Sequence, residues 1–295
     1  MAPKFTGSYC ALITPFSNGR VDEDAYRRLI DWHIAQGTHG LVACGTTGES
    51  PTLSHAEHRR VIELAVEAAA GRVPVIAGTG SNSTAEAIDL TQHAAQAGAD
   101  GALLVVPYYN KPSQRGIHAH VKAVHDAADI PIVIYNIPGR TVVEMTTETL
   151  GEVAKLPRVV GVKDSTKDPV RPVRTRAAAG PGFAQLSGED GTVLPFLAMG
   201  GHGCISVSAN VAPAQLARMH EAWQRGDVAT VQAINERLMP LHDAMFREPS
   251  PAPAKYAASR LGLCGEEVRL PIVPCGEAAR EQIDAALAQA GLIQT

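Results

Sequence analysis

The sequence is poor in the features that mark secreted and membrane proteins. Its 295 residues contain five cysteines, an odd number, and no two of them form a Cys-X-X-Cys pair. We therefore expect neither a disulfide framework nor a zinc ribbon, and a reducing compartment. No apolar run approaches the ~18 residues of a membrane-spanning helix, and the first residues lack the pattern of a signal peptide. These absences predict a cytoplasmic protein with no membrane partner.

Positive charge and ligand clusters are also scarce. Lysine and arginine number 26 against 30 acidic residues, which gives a net charge of -4. This balance does not attract polyanions, so we expect no nucleic-acid partner. The eleven histidines form no metal-binding cluster at the predicted strand ends. The Gly-Thr-Gly at 78–80 lacks the third glycine of a dinucleotide fingerprint, so we expect no metal and no cofactor.

Short apolar runs alternate with amphipathic stretches over the first two thirds of the chain. Eight runs predict strands, at 8–13, 40–44, 73–77, 101–106, 130–136, 159–163, 184–187 and 203–207. Helical patterns lie between them, and Ser54 with Glu57 predicts a capping box at the start of one. Eight strands that are apolar on both faces predict an α/β fold, a (β/α)8 TIM barrel. A doubly wound open sheet is the alternative, but the even spacing favours closure.

The pattern changes near residue 225. Beyond it, helices are predicted at 227–246, 254–262 and 277–291. The proline-rich segment 248–253 is expected to be extended, because each proline restricts the residue before it. We predict a barrel catalytic domain at residues 1–225 and a C-terminal helical region at 226–295, an appendage rather than an independent domain.

A lysine lies inside the sixth predicted strand. Residues 159–165 read Val-Val-Gly-Val-Lys-Asp-Ser, and strand alternation puts Lys163 on the same face as Val159 and Gly161. Lysine is rarely buried without a reason. Desolvation lowers the pKa of an amine, which favours a Schiff base with a carbonyl substrate. On spacing alone, an equally good alternative is a strand-end lysine that reaches solvent or pairs with Asp164.

The segments after two other strands carry groups that suit a keto acid. Thr46 and Thr47 lie between glycines, so their hydroxyls and the backbone can converge on a carboxylate, unless the segment is a plain turn. Tyr135 ends the fifth strand and can donate a proton to a carbinolamine on a lysine one strand away. Arg140 follows it, either as a bidentate partner for a second carboxylate or as a plain surface arginine.

After the fourth strand, Tyr108 and Tyr109 stand beside prolines. This pair predicts a proton relay, an interface, or both.

Together these motifs resemble the pyruvate-dependent class I aldolase/lyase family over essentially the whole chain. They are Gly-Thr-Thr-Gly-Glu-Ser at 45–50, Pro-Tyr-Tyr-Asn-Lys-Pro at 107–112, Tyr-Asn-Ile-Pro-Gly-Arg-Thr at 135–141 and Gly-Val-Lys-Asp-Ser at 161–165. The resemblance implies condensation of pyruvate with L-aspartate 4-semialdehyde, on the route to diaminopimelate and lysine. It also implies a homotetramer and feedback inhibition by L-lysine.

The resemblance implies a role for each matching residue. Lys163 would form the Schiff base, and Tyr135 would be the general acid/base, linked through Thr46 to Tyr109 of a neighbouring subunit. The substrate-binding residues would be Thr47, Arg140, Gly188 and Ile205. The lysine-binding residues would be Ser50, Pro51, His55, His58, Asn82, Glu86 and Tyr108. For the two histidines, a zinc site or a solvated helix face is the alternative.

One position departs from the family pattern, and rival functions remain. Val142 stands where a glycine is usual, which leaves the identity of the aldehyde open. The main rival is a sister lyase for N-acetylneuraminate or a 2-keto-3-deoxy-sugar acid. Arg140 argues against it, because a sugar aldehyde carries no carboxylate. An idle sensor barrel and a metal-dependent aldolase are further rivals; Lys163 with Tyr135 argues against the former, and the scattered histidines against the latter.

Overall fold

The structure, a computed structural model, describes residues 3–294. Its strands are β1 (Gly7–Ala11), β2 (Phe16–Ser17), β3 (Arg20–Val21), β4 (Gly40–Ala43), β5 (Val75–Gly78), β6 (Gly101–Val105), β7 (Ile132–Asn136), β8 (Val159–Asp164), β9 (Ala184–Ser187) and β10 (Gly203–Ser206). Eight of them form a closed barrel in the order β1-β10-β9-β8-β7-β6-β5-β4. The predicted (β/α)8 barrel is therefore confirmed. The remaining two, β2 and β3, form a small antiparallel hairpin that the sequence did not predict.

Helices follow the barrel strands and continue beyond the last one. They are α1 (Glu23–Ala35), α2 (His55–Ala69), α3 (Thr84–Gln96), α4 (Gln114–Ala127), α5 (Pro138–Thr141), α6 (Thr147–Val153), α7 (Arg171–Ala179), α8 (Val193–Ala198), α9 (Pro213–Gln224), α10 (Val228–Ala244), α11 (Ala252–Arg260) and α12 (Glu277–Gln289). The predicted capping box of α2 is present, because Ser54 and Glu57 bond each other's backbone N–H groups.

The described residues divide into two compact units. The first comprises residues 3–6 and Val75–Ile205. In it β5 to β9 pair in parallel, and apolar side chains of the strands pack against the helices that follow them. Ile134 and Val162 lie in that core with Ile117 of α4. The outer faces of β6, β7 and β8 are therefore covered by helices.

The second unit comprises Gly7–Pro74 and residues 206–294. In it β1 pairs with β4, and α10 packs on both α9 and α12. The predicted domain boundary at 225–226 falls between α9 and α10. Residues 1, 2 and 295 of the predicted domains lie outside the described residues.

The prediction of an extended segment at 248–253 is wrong. The chain bends there, the Ser250–Pro251 peptide bond is cis, and α11 already begins at Ala252. The physical reason is that proline fits the first turn of a helix, where its missing N–H has no partner to lose. In residues 3–294 no helix is both long and apolar enough to cross a membrane.

Candidate active site

Lys163 and Tyr135 lie side by side on adjacent strands of the first unit. They are register partners on β8 and β7, and the Lys163 Nζ lies 4.2 Å from the centroid of the Tyr135 ring. Both side chains are buried, with relative exposures of 7% and 6%. An ammonium over an aromatic face is attracted by the ring quadrupole. The phenol and the amine are thus within reach of one bound carbonyl compound.

The alternative reading of Lys163, a pairing with Asp164, does not fit the structure. One carboxylate oxygen of Asp164 accepts bonds from the backbone N–H and the hydroxyl of Thr166, at 2.9 and 2.6 Å. The other lies 3.3 Å from Nε of Arg171, and both of those side chains are buried. The carboxylate of Asp164 is therefore held by Thr166 and Arg171 rather than by Lys163.

Gly188 makes room for Lys163. A Cβ at this position would lie 2.9 Å from Cε of Lys163 and 2.0 Å from the hydroxyl of Ser165. The N–H of Gly188 donates to the carbonyl of Asp164 at 2.8 Å, so a ligand could use only its carbonyl oxygen. Gly161 instead allows β8 to lie close to β9, because a Cβ there would lie 2.7 Å from the carbonyl oxygen of Ala184 on β9.

A cleft of about 200 Å³ lies in the first unit; Asp164 lines it, whereas Lys163 and Tyr135 do not. Its walls include Glu189, Lys167 and Ser187. Burial raises the pKa of Glu189, and the nearby ammonium groups of Lys167 and Lys163 oppose that shift. Glu189 is not among the site residues that the sequence predicts. Only the fold brings this carboxyl into the electrostatic field of Lys163, so no local pattern could have revealed it.

Arg140 is exposed on the short helix α5, directly after β7. The segment that follows returns to the strand through Asn136, whose side chain accepts from the N–H of Met145 at 2.9 Å. Val142 ends the helix in the left-handed region, at φ 65°. The valine noted in the sequence thus adopts a conformation that favours glycine.

The hydroxyl loop, residues 45–50, follows β4 in the second unit. It is a compact turn in which the N–H groups of Gly48 and Glu49 donate to the carbonyls of Gly45 and Thr46, both at 3.1 Å. Thr47 is buried. Glu49 was also missed as a site residue, and it forms an ion pair with a second buried lysine, Lys255.

The remaining predicted residues fall in both units. In the first unit Tyr109 is 89% exposed, the carbonyl of Asn82 accepts from Asn110 at 2.9 Å, and Glu86 accepts from the hydroxyl of Ser81. Tyr108 is partly exposed, and Ile205 is buried on β10. The residues of the second unit are Ser50, Pro51, His55 and His58; of these, His58 is buried and His55 is exposed.

Metal-binding side chains do not gather anywhere in residues 3–294, where no three His, Cys, Asp or Glu residues are placed to hold an ion. All five cysteines are free thiols.

A buried lysine beside a phenol on a parallel (β/α)8 barrel defines the class of lyases and aldolases that act through a Schiff base. The chain belongs to the dihydrodipicolinate synthetase family, whose model matches residues 4–290. The 4-hydroxy-tetrahydrodipicolinate synthase of Rhodospirillum centenum is 63% identical to it, over 98% of this chain and 99% of that protein. The one from Parvibaculum lavamentivorans is 60% identical, with the same coverage. The predicted family and enzyme class are confirmed.

Solved structures agree with this assignment. Dihydrodipicolinate synthase from Aquifex aeolicus has a TM-score of 0.96 at 45% identity and covers 99% of this chain and 100% of its own. The chloride-inhibited enzyme from Acinetobacter baumannii, complexed with pyruvate, has a TM-score of 0.95 at 42% identity. The enzyme from Cyanidioschyzon merolae with lysine bound has a TM-score of 0.95 at 40% identity. The latter two each cover 98% of this chain and 99% of their own.

Replacing Gly188 by alanine tests whether Lys163 needs the space that the glycine leaves. We expect Gly188→Ala to lower turnover by roughly ten- to a hundredfold, because the new methyl group displaces the Lys163 side chain and small misplacements of a reacting group are costly. Steady-state rates at saturating substrate would measure the effect.

Gly265→Ala is the matched control, since a Cβ there meets only the Phe16 carbonyl oxygen at 3.8 Å. It should retain the wild-type rate. An active Gly188→Ala enzyme would mean that Lys163 does not need the space that the glycine provides.

Proposed function

We propose that this chain condenses pyruvate with L-aspartate 4-semialdehyde through a Schiff base on Lys163, which is the 4-hydroxy-tetrahydrodipicolinate synthase reaction. The observation that carries the proposal is the buried Lys163 amine facing the Tyr135 ring at 4.2 Å. The names of the relatives and the pyruvate complex of the Acinetobacter baumannii enzyme support it.

The first half of the reaction needs a nucleophile and a proton donor. The Lys163 amine attacks the ketone carbon of pyruvate, and the resulting carbinolamine loses water to give the imine. Tyr135 donates the proton that the departing hydroxyl requires. Thr47 holds the pyruvate carboxylate, Thr46 links Tyr135 to the proton relay, and Gly188 and Ile205 line the site.

The second half forms the carbon–carbon bond. Tyr135 takes up a methyl proton and converts the imine to an enamine, whose terminal carbon attacks the aldehyde carbon of the second substrate, and Tyr135 then protonates the new alkoxide. The amino group of the second substrate attacks the imine carbon, closes the ring and releases the Lys163 amine. Arg140 receives the carboxylate of that substrate, since its guanidinium offers two parallel N–H donors. A sugar aldehyde has no such carboxylate, so Arg140 favours the semialdehyde over the substrates of the sister lyases.

We also propose inhibition by L-lysine. The residues assigned to it are Ser50, Pro51, His55, His58, Asn82, Glu86 and Tyr108. Glu86 supplies the negative charge that an ammonium group requires. The lysine-bound Cyanidioschyzon merolae enzyme supports this proposal.

The exposure of Tyr109 indicates an interface between subunits. It is 89% exposed and adopts a positive φ of 68°, and tyrosine is enriched at protein interfaces. We propose a homotetramer in which Tyr109 completes the proton relay of a neighbouring subunit. We further propose that the enzyme works in the cytoplasm, where its free thiols remain reduced.

The Schiff base is tested by trapping. Borohydride reduction in the presence of pyruvate should add a stable adduct to the peptide that contains Lys163, and mass spectrometry would detect it. The peptide with Lys255, the other buried lysine, serves as the internal control and should stay unmodified. Lys163→Met should carry no adduct at all, and an adduct elsewhere in the wild type would refute the assignment.

Tyr135→Phe completes that experiment. The variant should lose roughly 10²–10⁴ in turnover through the missing proton transfer, while slow trapping on Lys163 persists. Wild-type turnover would remove Tyr135 from its role. Turnover with N-acetylmannosamine in place of the semialdehyde would favour a sister lyase.

The lysine site is tested by removing its charge. Glu86→Gln should raise the lysine concentration for half-inhibition at least about tenfold, because a charged hydrogen bond is worth roughly 1.5–3 kcal/mol. Asp89→Asn, an exposed carboxylate on the same helix, should inhibit like the wild type. Undiminished wild-type turnover at millimolar lysine would contradict the proposal.

The assembly is tested by light scattering of the native protein. A mass of four chains is expected, and a mass of one or two chains would exclude the tetramer.

A further inference from the structure

A second buried lysine lies far along the chain from Lys163. Lys255 belongs to α11, and its side chain is fully buried. Its Nζ lies 2.5 Å from a carboxylate oxygen of Glu49, which is 2% exposed. The same nitrogen donates to the carbonyl of Glu267 at 2.7 Å and lies 3.8 Å from the centroid of the Phe16 ring. The ammonium is therefore surrounded by partners that stabilise its charge.

Glu49 connects this pair to the hydroxyl loop. Its backbone adopts the left-handed region, at φ 55°, which is uncommon for a residue with a side chain. One of its carboxylate oxygens contacts Lys255, and the other accepts from the N–H of Arg269 at 3.0 Å. Such a conformation persists only where the surroundings determine it. Lys255 and Arg269, which hold the two carboxylate oxygens of Glu49, both belong to the C-terminal helical region.

Arg269 also binds the segment that follows the hydroxyl loop. Its guanidinium donates to the carbonyl of Thr52 at 2.9 Å and to both carboxylate oxygens of Glu57, at 2.9 and 2.6 Å. These bonds, together with the hydrogen bonds from Ser54, lower the pKa of Glu57 to about 2. The guanidinium also lies 4.2 Å from the Phe16 ring centroid. The cationic groups of Lys255 and Arg269 therefore both contact the Phe16 ring.

Stability alone does not explain such a pair. Replacing a buried ion pair by apolar side chains of similar size is often neutral or stabilising, whereas removing one partner is strongly destabilising. A buried ion pair can, however, fix the backbone segments that bear its two side chains in a single conformation. The segment that bears Glu49 is the turn that presents Thr46 and Thr47.

We propose that the C-terminal helical region takes part in pyruvate binding, with Lys255 and Glu49 as positioning residues that hold the hydroxyl loop in its binding conformation. The inference rests on the proposed function, in which Thr47 holds the pyruvate carboxylate. It gives residues 226–295 a part in the reaction, although none of them is assigned to the substrate.

The test measures the pyruvate concentration that half-saturates borohydride trapping on Lys163. Lys255→Met should raise it at least tenfold, because the unpaired carboxylate of Glu49 moves toward water and takes the loop with it. Glu49→Gln should raise it more than twofold but less than Lys255→Met does, since a glutamine oxygen still accepts from the Arg269 N–H. In the full reaction, the KM for pyruvate should rise while the KM for the semialdehyde changes less than twofold.

The double variant Glu49→Gln/Lys255→Met covers the case in which Lys255→Met does not fold. It buries no unpaired charge, keeps the bond to Arg269, and should resemble Glu49→Gln in its pyruvate requirement. Leu287→Ala, which deletes a fully buried side chain of α12, is the matched control. It should lower the melting temperature and leave the half-saturating pyruvate concentration unchanged.

The outcomes separate the two proposals. If the wild type forms no adduct on Lys163, the proposed function fails. If the wild type traps pyruvate, and Glu49→Gln and the double variant half-saturate within twofold of it while melting at lower temperature, the pair is only structural and the positioning role is overturned.

Discussion

The free-energy cost of burying an amine is the constraint on which this structure depends. Both buried lysines meet it, in opposite ways. Lys255 lies at hydrogen-bond distance from a carboxylate and a carbonyl, which keep its charge in place. Lys163 lies over the face of a phenol ring, a partner that attracts an ammonium and yet leaves the amine accessible to a carbonyl carbon. Schiff-base chemistry requires the environment of Lys163, whereas the environment of Lys255 serves the structure of the protein.

The fold was predictable because its signal is local and repeated. Each barrel strand is a short apolar run, strand–helix alternation indicates a parallel sheet, and eight evenly spaced units favour its closure whatever the exact bounds. The hairpin of β2 and β3 was not predictable, because its strands have two residues each and carry no period. The bend at 248–253 does not follow from the restriction on residues before proline, because proline also fits the start of a helix.

The candidate site was predictable only in part, for the same reason. Lys163, Tyr135 and the paired threonines lie in short motifs whose residue types are unusual for their position. Glu189 has no such signal, since its raised pKa arises from burial, and the lysines that oppose the shift are brought near only by the fold. Glu49 was present in a motif, but its partner Arg269 is 220 positions away. Patterns along a chain reveal which residues react, and only the fold reveals which residues hold them.

Backbone strain marks the same loops independently of any motif. Among the described residues, eight that are not glycine adopt a positive φ. Six of them follow barrel strands in the segments that carry site residues, namely Cys44, Glu49, Tyr109, Lys111, Val142 and Lys167. Such conformations cost of order 1–3 kcal/mol each and persist where other contacts determine them. Val142 shows that the turn after Arg140 retains this conformation even with a β-branched residue, so the geometry of the turn, rather than the glycine, is what the site requires.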